Sequence, residues 1–220
     1  MSSNLTTATT NRNMINKTKK FVFVHIPKCG GSSITKCDNF NCWRGNSHAT
    51  LENYHNYIFN SNSYKYYSIV RNPWSRMLSV YTYWEQMRPD HQHYFWDKDA
   101  CRKIQDNNMS FKDFLIKVSE PQTYFYQTQK PDVEMPHLKT QYSFLSVKGE
   151  LKMDFVGKIE SLQEDFNFIC KDIGIPKQDL PHVNKSNHRH YTEYYDDETR
   201  DIISKVYRDD IKHFNYKFGE

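Results

Sequence analysis

The segment 21–34 reads FVFVHIPKCGGSSI and constrains the fold of this chain more than any other part of it. Its opening run of apolar and aromatic residues predicts a buried parallel strand over residues 21–26. Pro27 ends that strand, and two glycines then permit a tight turn whose backbone can approach a ligand closely. Two serines follow where a helix is predicted to begin and to continue through residue 38. A strand, a glycine turn and a helix in this order predict an α/β fold with an anion-binding loop.

The chemistry of this loop favours a phosphate-like ligand. Consecutive backbone N–H groups and the positive end of a helix attract an anion, hydroxyl groups add donors, and a lysine adds a mobile cation. The predicted ligand-binding residues of the loop are Lys28, Cys29, Gly30, Gly31, Ser32 and Ser33. An ordinary strand-to-helix turn that binds nothing is the alternative that the loop alone leaves open.

The position of the lysine separates this loop from the Walker A loop of nucleoside triphosphate enzymes. A Walker A loop places its lysine after the glycines and follows it with a hydroxyl that binds Mg²⁺, whereas Lys28 precedes Gly30 and Gly31. Because neutralising a triphosphate usually needs the metal, this order argues against a magnesium-dependent enzyme, and no metal is expected. A P-loop-type kinase of a small molecule remains the second hypothesis.

A second constellation follows the next predicted strand, residues 66–70. Arg71 stands at the end of that strand, Pro73 suits the first turn of a new helix, and Ser79 lies one to two turns into it. If the turn folds back, the guanidinium and the hydroxyl reach one phosphate. We assign Arg76 instead to a salt bridge or to helix packing. Two anion sites at neighbouring strand ends suit 3′-phosphoadenosine 5′-phosphosulfate (PAPS), which carries phosphates at both ends of its ribose.

The remaining pattern predicts a single α/β domain. Further predicted elements are helices over residues 50–59 and 162–173, a capped helix from Ser110, a strand over residues 154–158 and a last helix from about Asp196. Strands that alternate with helices indicate a P-loop-like central parallel sheet flanked by helices, with ligands at the carboxyl ends of the strands. Residues 1–20 are predicted to be a flexible N-terminal segment, and residues 21–220 to form the domain.

Charge and cysteine content narrow the class of protein. A formal net charge of +4 is too mild to indicate nucleic acid as the partner, but it suits a small polyanion bound at one site. Five cysteines at irregular spacing are no disulfide framework, and the pair Cys37 and Cys42 lacks a second Cys/His pair at zinc-like spacing. We therefore expect thiols in a reducing compartment. No apolar run resembles a signal peptide or a membrane anchor, so the chain as given is expected to be soluble.

Both motifs resemble those of the PAPS-dependent carbohydrate sulfotransferases of the membrane-type and bacterial families. The 5′-phosphosulfate loop of that family is similar to residues 25–34, and its 3′-phosphate motif is similar to residues 71–81, RNPWSRMLSVY. The resemblance continues through residues 154–162 and 184–186 and through the closing segment 209–216. It implies the sulfotransferase fold, PAPS as donor, 3′,5′-ADP (PAP) as product and a hydroxyl-bearing acceptor, a glycan.

The resemblance also implies roles for individual residues. Lys28 stabilises the charge that grows on the leaving phosphate oxygen, and a loop near Asn184 closes over the nucleotide, which brings Lys185 or Arg189 to the 3′-phosphate or the adenine. Cys29 departs from the pattern, because relatives often carry threonine there and a thiol is a poorer hydrogen-bond donor. Apart from that position, the loop agrees with the family.

The acceptor hydroxyl needs a base, and His48 is the candidate. It lies upstream of the second strand, in a stretch where the similar glycan 2-O-sulfotransferases place a catalytic histidine, and a neutral imidazole suits proton abstraction near pH 7. His55, seven residues later, is the reserve, and His25 is interpreted as structural. A third hypothesis is a glycan- or nucleic-acid-binding protein that keeps the fold without turnover.

Overall fold

A four-stranded sheet forms the centre of the molecule. The computed structural model describes residues 14–37, 40, 48–88, 95–120, 125, 135–181 and 189–220. The strands of the described chain are β1 (Ile15–Asn16), β2 (Phe21–Val24), β3 (Lys65–Val70), β4 (Ser146–Val147), β5 (Glu150–Leu151) and β6 (Phe155–Lys158). In the sheet the order is β1-β2-β3-β6, and β4 and β5 form a separate hairpin. The predicted α/β class, with a central parallel sheet flanked by helices, is confirmed.

The parallel pairing brings the carboxyl ends of β2, β3 and β6 to one edge. Val24 pairs with Ser68, and Val70 pairs with Lys158, so the segments that follow the three strands leave the sheet side by side. The hydroxyl of Ser68 donates to the carbonyl of Val24 at 2.7 Å and ties two of these strand ends together. The edge therefore has the geometry at which open α/β sheets bind ligands.

The N-terminal boundary of the fold differs from the prediction. Residues 1–20 were expected to be a flexible segment, whereas β1 pairs antiparallel with β2 and Met14 is completely buried. The amide of Phe23 donates to the carbonyl of Met14 at 2.9 Å. Among the described residues, buried apolar contact and ladder hydrogen bonds are thus present from residue 14 onward. A two-residue strand is too short to leave an alternating pattern in the sequence. That residues 21–220 form a single domain stays a prediction.

Nine helices surround the sheet in the described part of the chain. They are α1 (Gly31–Ile34), α2 (Leu51–Tyr57), α3 (Pro73–Gln86), α4 (Phe95–Gln105), α5 (Phe111–Ser119), α6 (Gln141–Leu145), α7 (Leu162–Asp172), α8 (Asp197–Val206) and α9 (Arg208–His213). The helix predicted to run through residue 38 is a single turn, α1. The last predicted helix is two helices, because the backbone leaves helical geometry at Tyr207.

Local signals explain where several helices begin and end. Thr50, Ser110 and Asp196 each accept a backbone N–H three residues later in a capping box, which satisfies donors that a helix start leaves open. Asn72 caps α3, and Pro73 occupies its first position. Gly174, with φ of 68°, follows the end of α7. Within the described residues, no helix has the length and apolar content needed to cross a membrane.

The core has three parts, two of which lie on the opposite faces of the sheet because side chains alternate along each strand. One face of the sheet, with Phe21, Phe23, Tyr67 and Ile69, packs against α1 and α7. The opposite face carries Val22, Val24, Tyr66 and Val70 and packs against α2, α6 and the segment after α9. The third part is a helical cluster of α3, α4, α5 and α8 around Trp84. Helix α3 joins this cluster to the sheet edge, so it positions the residues that follow β3.

Candidate active site

The loop after β2 has a backbone that few sequences can adopt. Lys28 and Gly30 both have positive φ, 66° and 77°. The left-handed conformation is costly for a residue with a side chain, by roughly 1 kcal/mol, and such residues cluster at functional sites. A Cβ at Gly31 would lie 2.0 Å from Cδ2 of His25, so the imidazole occupies the space that any side chain at position 31 needs. The backbone conformation therefore favours glycine at position 30, and the imidazole of His25 favours it at position 31.

Two arginines hold the carbonyl groups of this loop. Arg76 is completely buried and donates to the carbonyls of Pro27 at 3.1 Å, Lys139 at 2.8 Å and His137 at 3.1 Å. Arg71 donates from Nη1 to the carbonyl of Lys28 at 3.3 Å. The two predicted anion motifs are thus in direct contact. The salt bridge or packing role expected of Arg76 is replaced by a hydrogen-bonding role, which a guanidinium with five donors can fill.

The ammonium group of Lys28 lies in a desolvated position. Its Nζ is 4.2 Å from the centre of the Tyr83 ring, a cation–π distance. Burial and the neighbouring Arg71 together lower the pKa of Lys28 to about 8, while the carboxylate of Asp97 acts in the opposite direction. A cation that is poorly solvated and close to another cation attracts an anion strongly. The lysine is therefore positioned and tuned for an anionic ligand.

The serines predicted to bind the anion lie on both motifs. Ser33 in α1 and Ser79 in α3 are buried, and Ser32 is exposed at the start of α1. Because α1 has one turn, its dipole is much weaker than that of a full helix and weaker than the predicted longer helix would supply. The cations and the hydrogen-bond donors of the loop remain as the source of attraction. Arg71 also donates from Nε to the hydroxyl of Ser75 at 3.0 Å, which orients its side chain.

Cys29 faces the core instead of the loop surface. It is 1% exposed, and its thiol donates to Oε1 of Gln141 at 3.2 Å and lies 3.6 Å from the carbonyl of Pro27. Burial raises the pKa of this thiol to about 12, although Arg76 acts in the opposite direction. The expectation that this side chain contacts the donor is corrected by its placement.

His48 is held with one ring nitrogen fixed. Its Nδ1 lies 3.2 Å from the carbonyl of His25, and because a carbonyl only accepts, Nδ1 carries the proton and Nε2 keeps its lone pair. The pKa of His48 is lowered to about 4 mainly by burial, against the opposing effect of the hydrogen bond to His25 and with a smaller contribution from Arg76. The ring is therefore neutral near pH 7, in the protonation state that a base requires.

Two further histidines lie around His48. The ring centre of His25 is 4.9 Å from that of His48, and the ring centre of His137 is 5.8 Å from it. We call these three residues the histidine cluster. Burial and the neighbouring His48 lower the pKa of His25 to about 3, and burial keeps the pKa of His137 well below its usual range. All three imidazoles are thus neutral at physiological pH.

His137 and Asp97 belong to this site and were missed in the sequence. Oδ1 of Asp97 lies 3.3 Å from Nδ1 of His137, within ion-pair distance but outside hydrogen-bond geometry, and it accepts the indole N–H of Trp84 at 2.9 Å. Burial raises the pKa of Asp97 to about 6. The ring of His137 stacks on Tyr83, whose ring also carries Lys28. No local pattern marks either residue, since they meet only through the tertiary fold.

Other side chains fix the turn after β3. The backbone N–H of Asn72 donates to Oε1 of Glu160 at 2.9 Å, and the hydroxyl of Tyr216 donates to Oε2 of the same carboxylate at 3.1 Å. Nζ of Lys158 lies 4.4 Å from the ring centre of Tyr216. Residues that follow β3 and β6 and the C-terminal segment therefore meet beside Arg71. The closing segment 209–216, singled out in the sequence, contributes Tyr216 to this junction.

Two predicted residues lie apart from these contacts, and one falls outside the described residues. His55 stacks on Tyr66 with ring centres 5.0 Å apart and lies 3.4 Å from the hydroxyl of Ser61, so none of its observed contacts joins the histidine cluster. Arg189 is exposed and pairs with Glu193 at 3.2 Å. Lys185 falls outside the described residues.

Comparison with known proteins identifies the family. The sequence model described as "Sulfotransferase family" matches residues 11–217, nearly the whole chain. No curated protein and no solved structure gives a significant match. The matched region contains both anion motifs, the histidine cluster and the junction at Glu160.

Proposed function

The chain belongs to the sulfotransferase family, and from that premise we propose that it transfers a sulfuryl group from PAPS to a hydroxyl of a carbohydrate acceptor. The observation that carries this proposal is the hydrogen bond from Arg71 to the carbonyl of Lys28, 3.3 Å long. It joins the loop suited to a 5′-phosphosulfate to the motif suited to a 3′-phosphate. PAPS presents both groups on one ribose, so a single donor molecule satisfies both motifs.

In this proposal each motif binds one end of the donor. Lys28, the backbone of residues 29–31 and the hydroxyls of Ser32 and Ser33 bind the 5′-phosphosulfate. Arg71 and Ser79 bind the 3′-phosphate, with the guanidinium oriented by Ser75. Lys185 or Arg189 contacts the 3′-phosphate or the adenine in this proposal. The positive charge that a metal ion supplies to triphosphate enzymes comes here from side chains, so we propose that no metal is required.

The transfer itself is an in-line displacement at sulfur. The acceptor oxygen forms a bond to sulfur while the bond between sulfur and the 5′-phosphate oxygen breaks, and that oxygen leaves with the electron pair as part of PAP. Lys28 stabilises the negative charge that develops on the leaving oxygen. The acceptor hydroxyl proton passes to Nε2 of His48. The enzyme thus supplies position, a cation and a base, as in phosphoryl transfer.

The pKa of His48 bears directly on its role as base. A pKa near 4 keeps the ring neutral but makes it a weak base in the donor-free protein. An anionic donor beside the ring favours the protonated form and raises that pKa. The donor therefore increases the basicity of His48 at the moment when a proton has to be accepted. The Nδ1–H bond to the His25 carbonyl keeps Nε2 directed to the acceptor in this proposal.

The carbohydrate acceptor and the compartment rest on the sequence. The resemblance to glycan sulfotransferases supports a sugar hydroxyl, and the odd number of cysteines supports a reducing compartment. The buried thiols of Cys29, Cys101 and Cys170 agree with that assignment. Neither conclusion depends on the geometry of the donor site.

Ligand-induced thermal stabilisation tests the donor assignment. The melting temperature of the full chain is measured with PAP, with ATP plus Mg²⁺ and with buffer alone. We expect stabilisation by PAP, because a ligand that binds only the native state raises the melting temperature. Stabilisation by ATP with Mg²⁺ and none by PAP would overturn the proposal in favour of a kinase. Transfer from radiolabelled PAPS to a panel of glycans then tests turnover, and PAP binding without any labelled product indicates a binding protein.

A further inference from the structure

Gln141 lies completely buried between the two anion motifs and has no role in the function proposed above. Its Oε1 accepts the backbone N–H of Arg71 at 2.8 Å and the thiol of Cys29 at 3.2 Å. Its Nε2 donates to the carbonyl of Arg71 at 2.8 Å. The side-chain amide of Gln141 therefore binds both backbone groups of Arg71 and the side chain of Cys29 in the phosphosulfate loop.

The chemistry of its neighbours fixes the orientation of this amide. The oxygen faces two donors, the N–H of Arg71 and the thiol of Cys29, while the nitrogen faces two acceptors, the carbonyl of Arg71 and the carboxylate of Asp210. A flipped amide would face donor with donor and acceptor with acceptor. Gln141 therefore has one stable rotamer state at this position.

Asp210 holds Gln141 in place from the other side. Its Oδ2 accepts the backbone N–H of Gln141 at 2.9 Å and lies 3.3 Å from Nε2, and its Oδ1 accepts the backbone N–H of Tyr142 at 2.8 Å. These are the first amides of α6, which a helix leaves open and a carboxylate satisfies well. Asp210 is completely buried, so no water competes for these bonds. The carboxylate thereby anchors the start of α6 and the amide that this helix presents to Arg71.

We propose that Gln141, held by Asp210, is a positioning residue that sets the distance between the 5′-phosphosulfate loop and the 3′-phosphate residue Arg71. The inference rests on the proposed function, because it assumes a donor with two phosphates. Arg71 leaves β3 at the point where strand pairing ends, so its backbone depends on Gln141 for two of its hydrogen bonds. A ligand that spans both motifs benefits from a fixed distance, whereas a ligand that binds one motif does not.

Nucleotides with one or two phosphates separate these cases. Binding of PAP, adenosine 5′-monophosphate and adenosine 3′-monophosphate to the full chain is measured by calorimetry, for the wild type and for Gln141→Met. Methionine preserves the length of the side chain and removes both hydrogen-bonding groups. We expect PAP affinity to fall by about 10- to 100-fold, the effect of misplacing a binding group, while both monophosphates lose much less. In the transfer assay the same variant should raise the KM for PAPS more than it lowers kcat.

Gln163 provides a matched control. Its amide also makes three hydrogen bonds, to Asn167, to the carbonyl of Gln178 and to the N–H of Leu180, but it connects α7 to the following loop. Gln163→Met should lower the melting temperature and leave the ratio of PAP affinity to monophosphate affinity as in the wild type. If Gln141→Met fails to fold, Gln141→Asn serves instead, because it retains the amide but is too short to span from Asp210 to Arg71.

The outcomes separate the two proposals. A wild type that does not prefer PAP over the monophosphates contradicts the two-phosphate donor and with it the proposed function. A wild type that prefers PAP, with Gln141→Met and Gln141→Asn showing the same preference, contradicts only the role of Gln141. Equal losses for PAP and for both monophosphates would show that Gln141 stabilises the fold without setting the distance, and would also overturn the inference.

Discussion

The two ends of the site are constructed in different ways. The donor end is a network in which Arg71, Arg76 and Gln141 hold backbone groups of the two anion motifs by hydrogen bonds, and Asp210 holds Gln141. We call these four residues the donor frame. The histidine cluster at the other end is packed by tilted and edge-on ring contacts, and within the described residues the Nδ1 atoms of His25 and His137 have no hydrogen-bond partner. The donor end is fixed by directional bonds, whereas the histidine end combines desolvation with the bond from His48 to the carbonyl of His25.

This difference corresponds to different chemical requirements. A phosphate group needs donors at fixed positions, and a hydrogen-bonded frame provides them before the ligand arrives. A base needs a defined protonation state, and removing water from an imidazole ensures that it stays neutral. Asp97 lies between the two ends, since its carboxylate is close to His137 and also interacts electrostatically with Lys28. The comparison predicts that variants of the two ends fail in different assays.

The largest effect should come from the base. His48→Ala removes the group that accepts the acceptor proton, so we expect kcat to fall by about 10³-fold, within the range for general bases. PAP affinity should stay as in the wild type, because the donor frame does not use this ring. His55→Ala is the matched control and should retain activity, since His55 stacks on Tyr66 and has no observed contact with the cluster. Retained turnover in His48→Ala would remove the distinction between the two ends.

The donor frame should fail in a stability assay first. Arg76→Met leaves three buried carbonyls, those of Pro27, His137 and Lys139, without their donor. We expect the free energy of unfolding to fall by about 3 kcal/mol, measured by urea denaturation, and PAP affinity to fall as well. Arg102→Met, on the exposed surface of α4, controls for the loss of one charge. An equally stable Arg76→Met protein would show that the frame is not held by this residue.

The histidine cluster should instead make stability depend on pH. His25 and His48 have folded pKa values of about 3 and about 4, below the value of 6.5 of an exposed histidine. The unfolded chain therefore binds protons that the native cluster excludes. The free energy of unfolding is therefore unaffected by these histidines above about pH 6.5. It decreases as the pH falls towards about 4, by up to about 1.4 kcal/mol per pH unit for each histidine.

Asp97 changes the free energy of unfolding in the opposite direction as the pH falls, because its raised pKa lets the native state bind a proton before the unfolded chain does. The effect of the histidine cluster is therefore tested by comparing variants with the wild type. His137→Phe preserves the stacking on Tyr83. In this variant the melting temperature should depend less on pH than in the wild type, between about pH 7 and about pH 4.5. The exposed His190 gives the control His190→Gln. Equal slopes for wild type and His137→Phe would contradict a neutral cluster.

The smallest effect concerns Lys28 and the carboxylate between the two ends. With a pKa of about 8, Lys28 loses its proton above that pH in the donor-free protein, so PAP affinity should fall as the pH rises above about 8. Asp97→Asn removes a charge that raises this pKa, and the decline should begin at lower pH. Asp99→Asn, two residues away and paired with Lys103, should leave the profile as in the wild type. The affinities are measured by calorimetry across the alkaline range. If the pH profiles of Asp97→Asn and the wild type coincide, Asp97 does not raise the pKa of Lys28.

The sequence contained the parts of the site that are contiguous in the chain. The glycine loop and the Arg71 motif each follow a buried strand, and parallel strands end at one edge, so their neighbourhood followed from local pattern alone. The tautomer of His48 did not, because it depends on a carbonyl 23 residues away. Gln141 was missed for the same reason, since its bond to Cys29 spans 112 residues. The position of the Cys29 thiol could not be predicted from the sequence either, because the thiol donates to Gln141.

The contact between Gly31 and the ring of His25 has a consequence for redesign of this protein. Gly31 does not have a positive φ, and the atoms nearest to a side chain there belong to the imidazole of His25. The two positions therefore share one volume: a methyl group added at 31 must be matched by a smaller residue at 25. His25 also supplies, through its backbone, the carbonyl that orients His48. An engineer can thus exchange volume between loop and ring without changing the atom that aligns the base.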